Sequence, residues 1–218
     1  AVRSEAYLEV ANTLYNDIAI EDAILTLNLR DKKLIIASQK AKLYSGDLHL
    51  YYQEDLTNRN QSIKLTGDKI DLAGVISDTQ KAALTTASGK IDFGIDLNLK
   101  SQDGLIKSVL GDGYVHITEG LFWEVPFLSQ FFSTIENVLP FSSATKIKAI
   151  SAQLNFYEKN IQIDRFFTDG SLLALSGDGN FNWGDTSYEF NIKTHYLKSV
   201  LVLPRPINVD ILKGIFSP

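Results

Sequence analysis

Cysteine and methionine are both absent from this chain of 218 residues. Without a thiol there can be no disulfide scaffold, thiolate metal site, iron–sulfur cluster or cysteine nucleophile, and the redox compartment stays open. The start at Ala1-Val2-Arg3, with no initiator, reads as a processed or excised piece of a longer protein. No charged segment leads into an apolar one as in a signal peptide. No run of roughly 18 apolar residues exists either, so nothing in the sequence spans a bilayer as a helix. Basic side chains are outnumbered, 21 against 26 acidic, for a formal charge of −5. No cluster of Lys and Arg is present to neutralise phosphates, which excludes nucleic acid as a primary partner.

What the chain does have is alternation. Leu25, Leu27 and Leu29 are interleaved with Thr26, Asn28 and Arg30. Ile91, Phe93, Ile95, Leu97 and Leu99 alternate with Asp92, Gly94, Asp96, Asn98 and Lys100. The same pattern runs through Ile150–Phe156 and Tyr188–Ile192. Successive strand side chains point to opposite faces, so each run has one apolar and one wet face, as in antiparallel sheets solvated on one side. Asp31-Lys32-Lys33, Ser45-Gly46-Asp47, Glu158-Lys159-Asn160, Asp169-Gly170-Ser171 and Trp183-Gly184-Asp185 fit the hairpin turns between such runs. The apolar phase slips by one across Gly67-Asp68, which predicts a β-bulge. Gln53 to Gln61 reads as a surface loop. Residues 1–218 read as a single domain, with no linker biased enough to divide them.

One segment departs from period two. Val125, Leu128, Phe131, Phe132, Ile135, Val138 and Leu139 are spaced by three and four, predicting an amphipathic helix over about 126–139 between Pro126 and Pro140. Its stripe either closes one end of the sheet or, through Phe127, Phe131 and Phe132, touches acyl chains or a membrane surface. Ala73–Gln80 and Asp103–Leu110 are candidates for one or two further helical turns. Gly111-Asp112-Gly113 and Gly177-Asp178-Gly179 form an internal echo, read as a repeated strand-starting turn or as the mark of a duplicated sheet unit.

Catalytic signatures are missing. Neither Gly-Asp-Gly is a dinucleotide motif, because the third glycine is replaced by His116 or Asn182. His49, His116 and His195 lie in separate strands without metal-ligand spacing, so neither a metal nor a cofactor is expected. Asp92 and Asp96 share a face about 13 Å apart, too far for a glycosidase pair and consistent with a solvated surface. Phe93, Phe122, Trp123, Phe156, Phe166, Phe167, Phe181, Trp183, Tyr188 and Phe190 gather in the later half. Most are expected in the core, with a minority lining a groove.

The stretch Gly111 to Leu128, GDGYVHITEGLFWEVPFL, resembles the C-terminal region of the AsmA-like proteins (the AsmA/TamB type of bacterial envelope protein). There a Gly-x-Gly strand and a Gly-Leu turn run into a Val-Pro-x-Leu segment and an apolar helix. Ile147 to Phe156, Ile161-Gln162-Ile163, Leu175 to Gly179 and the terminal Gly214-Ile215-Phe216-Ser217-Pro218 follow in the family's order. Tyr44-Ser45-Gly46-Asp47-Leu48 is similar to its Tyr-x-Gly-Gly strand pair with one glycine missing. The resemblance covers most of the chain from about Leu14 onward. It implies a mainly β fold: a curved antiparallel sheet, half-barrel or groove-like, with an apolar inner face. It also implies a periplasmic location, as part of a protein anchored at the inner membrane of a diderm bacterium, a role in lipid movement towards the outer membrane, and no catalytic residues.

The expected function is thus a non-enzymatic module whose groove shelters the acyl chains of lipids. Phe93, Ile95, Leu97, Leu154, Phe156, Phe190 and Ile192 are the candidate inward-facing residues. The alternative is a structural scaffold with a closed core that binds envelope partner proteins. A carbohydrate hydrolase lacks the carboxylate pair it would need.

Overall fold

Strands with one apolar face gain most by lying side by side in chain order, and the computed structural model has that arrangement. It describes residues 3–15, 18–79, 88–102, 105–121, 147–170, 173–185, 187–196 and 208–215. The elements are β1 (Arg3–Tyr15), β2 (Ile18–Arg30), β3 (Lys33–Leu43), β4 (Gly46–Asp55), β5 (Gln61–Asp71), α1 (Leu72–Thr79), β6 (Ser88–Gln102) and β7 (Leu105–Leu121). They continue with β8 (Ile147–Tyr157), β9 (Asn160–Gly170), β10 (Leu173–Asn182), β11 (Ser187–Tyr196) and β12 (Asn208–Ile215). Each strand pairs with the next, giving one twelve-stranded sheet in the order β1 to β12. Every pairing is antiparallel, and β1 and β12 are not paired to each other, so the sheet is unclosed.

Turn chemistry sets several registers. Arg30 pairs with Lys33 across Asp31-Lys32, and Leu43 with Gly46 across Tyr44-Ser45. Both central residues of each turn have positive φ (51° and 62°; 45° and 64°), the geometry whose twist matches that of flanking strands. The second turn therefore lies one residue earlier than Ser45-Gly46-Asp47 suggested. Gly46 belongs to β4, where a Cβ would meet the Asp68 carbonyl oxygen and the Ile70 nitrogen at 2.6 Å. The expected bulge is present: between Gly67 and Ile70, β5 has one residue more than β6, with Lys69 at φ 54°.

Three further expectations need correction. The loop predicted over Gln53–Gln61 shrinks to residues 56–60, because β4 runs to Asp55. There the Asp55 and Asn58 side chains accept backbone N–H bonds from Thr57 (2.8 Å) and Asn60 (2.9 Å). The helical turns proposed for Asp103–Leu110 are strand from Leu105 on. Val109 and Leu110 pair with Leu99 and Asn98, and a ladder satisfies both backbones where an isolated two-turn helix is marginal. Both Gly-Asp-Gly motifs lie inside strands, β7 and β10, and start no turn.

The short helix near Ala73 is α1. Asp71 caps it, its Oδ2 accepting from the Gly74 N–H at 3.2 Å. The helix lies against β6 and β2, and around it Ala23, Ala41, Ile70 and Leu72 are buried. A second buried group, Thr168, Ala174, Leu175, Phe190 and Ile192, spans β9 to β11. The helix predicted over 126–139 lies outside the described residues.

Candidate functional site

In an antiparallel sheet, directly paired residues share a face, so register shows which side chains come together. Leu50, Leu65, Ile95, Gly113, Leu154, Ile163, Gly179 and Phe190 form one unbroken row across β4 to β11. Beside it run Tyr52, Ile63, Leu97, Gly111, Phe156, Ile161, Phe181 and Tyr188. A third row joins Leu48, Gly67, Phe93, Val115, Ala152, Phe166, Gly177 and Ile192. The seven candidates Phe93, Ile95, Leu97, Leu154, Phe156, Phe190 and Ile192 thus occupy three adjacent rows of one face. Their burial differs. Phe190 and Ile192 are buried, at 8 % and 4 % exposure, whereas Phe93, Ile95, Leu97, Leu154 and Phe156 are half-buried. Phe127, Phe131 and Phe132 lie outside the described residues.

Glycine and large side chains complement each other along these rows. Phe93 lies over Gly67, Phe190 over Gly179, and Phe166 over Gly177, where a Cβ would reach the ring at 2.6 Å. Gly111 lies under Leu97, and Gly113 sits beside Phe156. An aromatic ring lying across an adjacent glycine shields its backbone and covers the surface that the missing side chain leaves bare. The two Gly-Asp-Gly segments are therefore a device with glycines inward and Asp outward.

A polar cluster on the apolar face escaped the sequence reading. Glu54, its side chain only 13 % exposed, accepts from Arg59 Nη1 at 2.8 Å and from the Tyr52 hydroxyl at 3.1 Å. Burial and the Glu54 hydrogen bond push the Tyr52 phenol above its ordinary pKa. Tyr52 and Glu54 keep the phase of Leu48 and Leu50, and that was the available signal. Placing residues 53–61 in a loop hid it.

The opposite face is polar. Lys64 pairs with Asp96 at 2.6 Å and Lys42 with Asp47 at 2.5 Å. Asp92 accepts the Lys69 N–H at 2.7 Å, so Asp92 and Asp96 have separate partners. His116 Nδ1 lies 2.7 Å from Ser151 Oγ, and His195 Nε2 lies 2.7 Å from Ser176 Oγ. Among the described residues no group of three or more His, Asp or Glu could hold a metal ion, and no helix is long and apolar enough to cross a membrane. The aromatic residues expected in the core divide: Phe190 is buried, Phe93, Phe156, Phe166, Phe181 and Tyr188 are half-buried, and Phe167 and Trp183 are exposed. Phe167 follows Phe166 in β9 and so points to the polar side. Phe122 and Trp123 lie outside the described residues. No family model, curated protein or solved structure matches this chain.

Proposed function

We propose that this chain is a non-enzymatic, periplasmic module of an AsmA-like envelope protein. Its apolar sheet face forms a groove that shelters lipid acyl chains during transport towards the outer membrane. One observation carries the reading: the apolar residues of β4 to β11 fall in continuous rows on one face, and in the middle of the sheet they stay half-exposed. A half-exposed row of Ile95, Leu97, Leu154 and Phe156 has area left to bury. Each methylene laid against it contributes about 0.8 kcal/mol, so an acyl chain can be held without a specific polar contact. Rows that cross many strands without interruption also let the chain slide.

The test is binding of a fluorescent fatty acid to delipidated protein. Phe93→Glu and Leu154→Glu place a carboxylate where the chain would lie, and each should weaken binding at least about tenfold, or 1.4 kcal/mol. Asn98→Glu, on the polar face, should leave it unchanged. Folded Phe93→Glu and Leu154→Glu proteins that bind like the parent would overturn the proposal.

A structural scaffold that binds an envelope partner along the β1 edge is the second reading. It is favoured by Tyr7 and Leu8, exposed at 67 % and 48 % on a 13-residue edge strand, since such edges offer unpaired backbone groups to another chain. Native mass spectrometry separates the two, because co-purifying lipid is expected only from the first.

A further inference from the structure

The polar face of β8 to β11 holds an open cavity of about 440 Å³. One wall is Tyr157, 58 % exposed. The floor is made of amides and carboxylates, with Gln162, Asn180 and Glu189 paired in register across β9, β10 and β11. Asp178 and Asn191 lie beside them, joined by an Asn191 Nδ2 to Asp178 Oδ2 bond of 3.0 Å. The side chains of Tyr157, Gln162, Asn180 and Glu189 make no hydrogen bond to another described residue.

The lining selects a ligand class by elimination. Among the described side chains no Lys, Arg or His lines the cavity, and the Asp178 and Glu189 carboxylates there disfavour a phosphate or carboxylate. The described residues provide no metal-binding group. An acyl chain would strand the Gln162, Asn180 and Glu189 polar groups away from water, which costs free energy. What fits is a ligand that is neutral, rich in both donors and acceptors, and has a flat apolar surface to lay on Tyr157. Adjacent hydroxyls match amide side chains, which donate and accept at once, and a sugar ring's C–H face suits an aromatic platform. The floor row also runs across strands spaced about 4.8 Å apart, a spacing close to the advance of one pyranose in an extended chain. We propose that this cavity binds a neutral, extended oligosaccharide, with Tyr157 as the stacking platform and Gln162, Asn180 and Glu189 as the hydrogen-bonding floor.

Isothermal titration calorimetry with chitohexaose and with cellohexaose tests this. Saturable binding of at least one hexasaccharide is expected, with much weaker binding of the corresponding monosaccharide, because the floor spans three strands. Tyr157→Ala and the double variant Gln162→Ala/Asn180→Ala should each weaken binding at least about tenfold, while thermal melting stays near that of the parent. Phe93→Glu, on the apolar face, should leave glycan binding unchanged, which keeps this site separate from lipid binding. No saturable heat from either hexasaccharide overturns the proposal. So does parental affinity in the folded variants, or binding of tetralysine in place of the sugars, which would mark a cationic peptide as the ligand.

Discussion

The first six strands and the last six solve one problem, holding a single sheet in register, by different means. On the polar face from β2 to β6, oppositely charged residues meet across strands or bulges: Lys40 with Asp22, Lys42 with Asp47, Lys64 with Asp96 and Lys90 with Asp71. From β7 to β11 no ion pair joins described residues. The polar side chains there bond as neutral or amide-containing pairs, such as Asn182 with Asn160 at 3.0 Å, Asn155 with Asp164, and His116 with Ser151. The apolar face changes as well. Bulges break the phase in both halves, at Asp22 and Lys69 early and across Asp164-Arg165 in β9 late, but apart from Phe93 over Gly67 the early rows are mainly aliphatic. Later the rows alternate rings with glycines. Exposed ion pairs contribute about 0–1 kcal/mol each and are screened by salt. Ring-over-glycine packing is set by shape, so the later strands should hold their register under conditions that weaken the earlier ones.

The largest expected effect attacks that shape. A Cβ at Gly179 would enter the Phe190 ring and lie 2.8 Å from the Glu189 carbonyl oxygen. Gly179→Val should therefore cost about 3 kcal/mol in urea unfolding. Ile36→Val in an early row should cost only about 1 kcal/mol. Phe190→Leu in the Gly179→Ala background makes the comparison sharper. If ring and glycine fit each other, the double variant should be more stable than the sum of the two single losses by about 1 kcal/mol. Parental unfolding of Gly179→Val would remove the distinction between the halves.

The same device explains what the sequence did and did not disclose. Alternation located β2, β6, β8 and β11 because period two is a local property, visible in Leu25–Leu29 or Ile91–Leu99 without any knowledge of partners. It also put Phe93, Ile95, Leu97, Leu154, Phe156, Phe190 and Ile192 on apolar faces. That these faces are the same face follows from register, which depends on turns and bulges between distant residues. Gly111 and Gly113 misled because a glycine in a strand resembles a turn until the large side chain that covers it is known. Leu97 and Phe156 are 14 and 43 residues away from those two glycines, counted from Gly111 and Gly113 respectively. Glu54 was hidden for the opposite reason: its phase with Leu48 and Leu50 marks it as inward, but a charged residue beside a polar loop is easily placed in the loop instead. The polar cavity at Gln162, Asn180 and Glu189 draws on three strands, and each contributes one ordinary-looking residue.

A smaller effect comes from the turns. Lys32 sits at φ 62° between β2 and β3, and Glu158 at φ 53° between β8 and β9. A left-handed conformation costs a non-glycine residue about 1–2 kcal/mol, while glycine adds unfolded-state entropy worth about 0.4–1 kcal/mol. The difference favours glycine slightly. Lys32→Gly and Glu158→Gly should each stabilise by about 0.5 kcal/mol, and equal gains would show that the halves differ in their faces and not in their hairpins. Loss of stability in either would mean that its side chain contributes more than its backbone costs.

The smallest effect, a dependence on pH and salt, discriminates most directly between charge and hydrogen bonding. The Lys42 hydrogen bond, with a weaker Coulombic contribution from the same ammonium, holds the Asp47 carboxyl below the usual range. In the later half, hydrogen bonds from the Ser187 hydroxyl and N–H lower the pKa of Asp185. A depressed folded-state pKa gives stability that is present above the unfolded carboxyl value of about 3.9 and is lost as pH falls through the folded value. Both groups should therefore make the protein less stable below about pH 4, and Asp47→Asn or Asp185→Asn should each flatten that loss slightly. Salt separates them. High ionic strength weakens an exposed ammonium–carboxylate pair but hardly affects hydrogen bonds from a neutral hydroxyl and amide. Added sodium chloride should thus shrink the difference between the parent and Asp47→Asn while leaving that between the parent and Asp185→Asn. If salt acted equally on both differences, the contrast between a charge-paired and a hydrogen-bonded half would not extend to their acid stability.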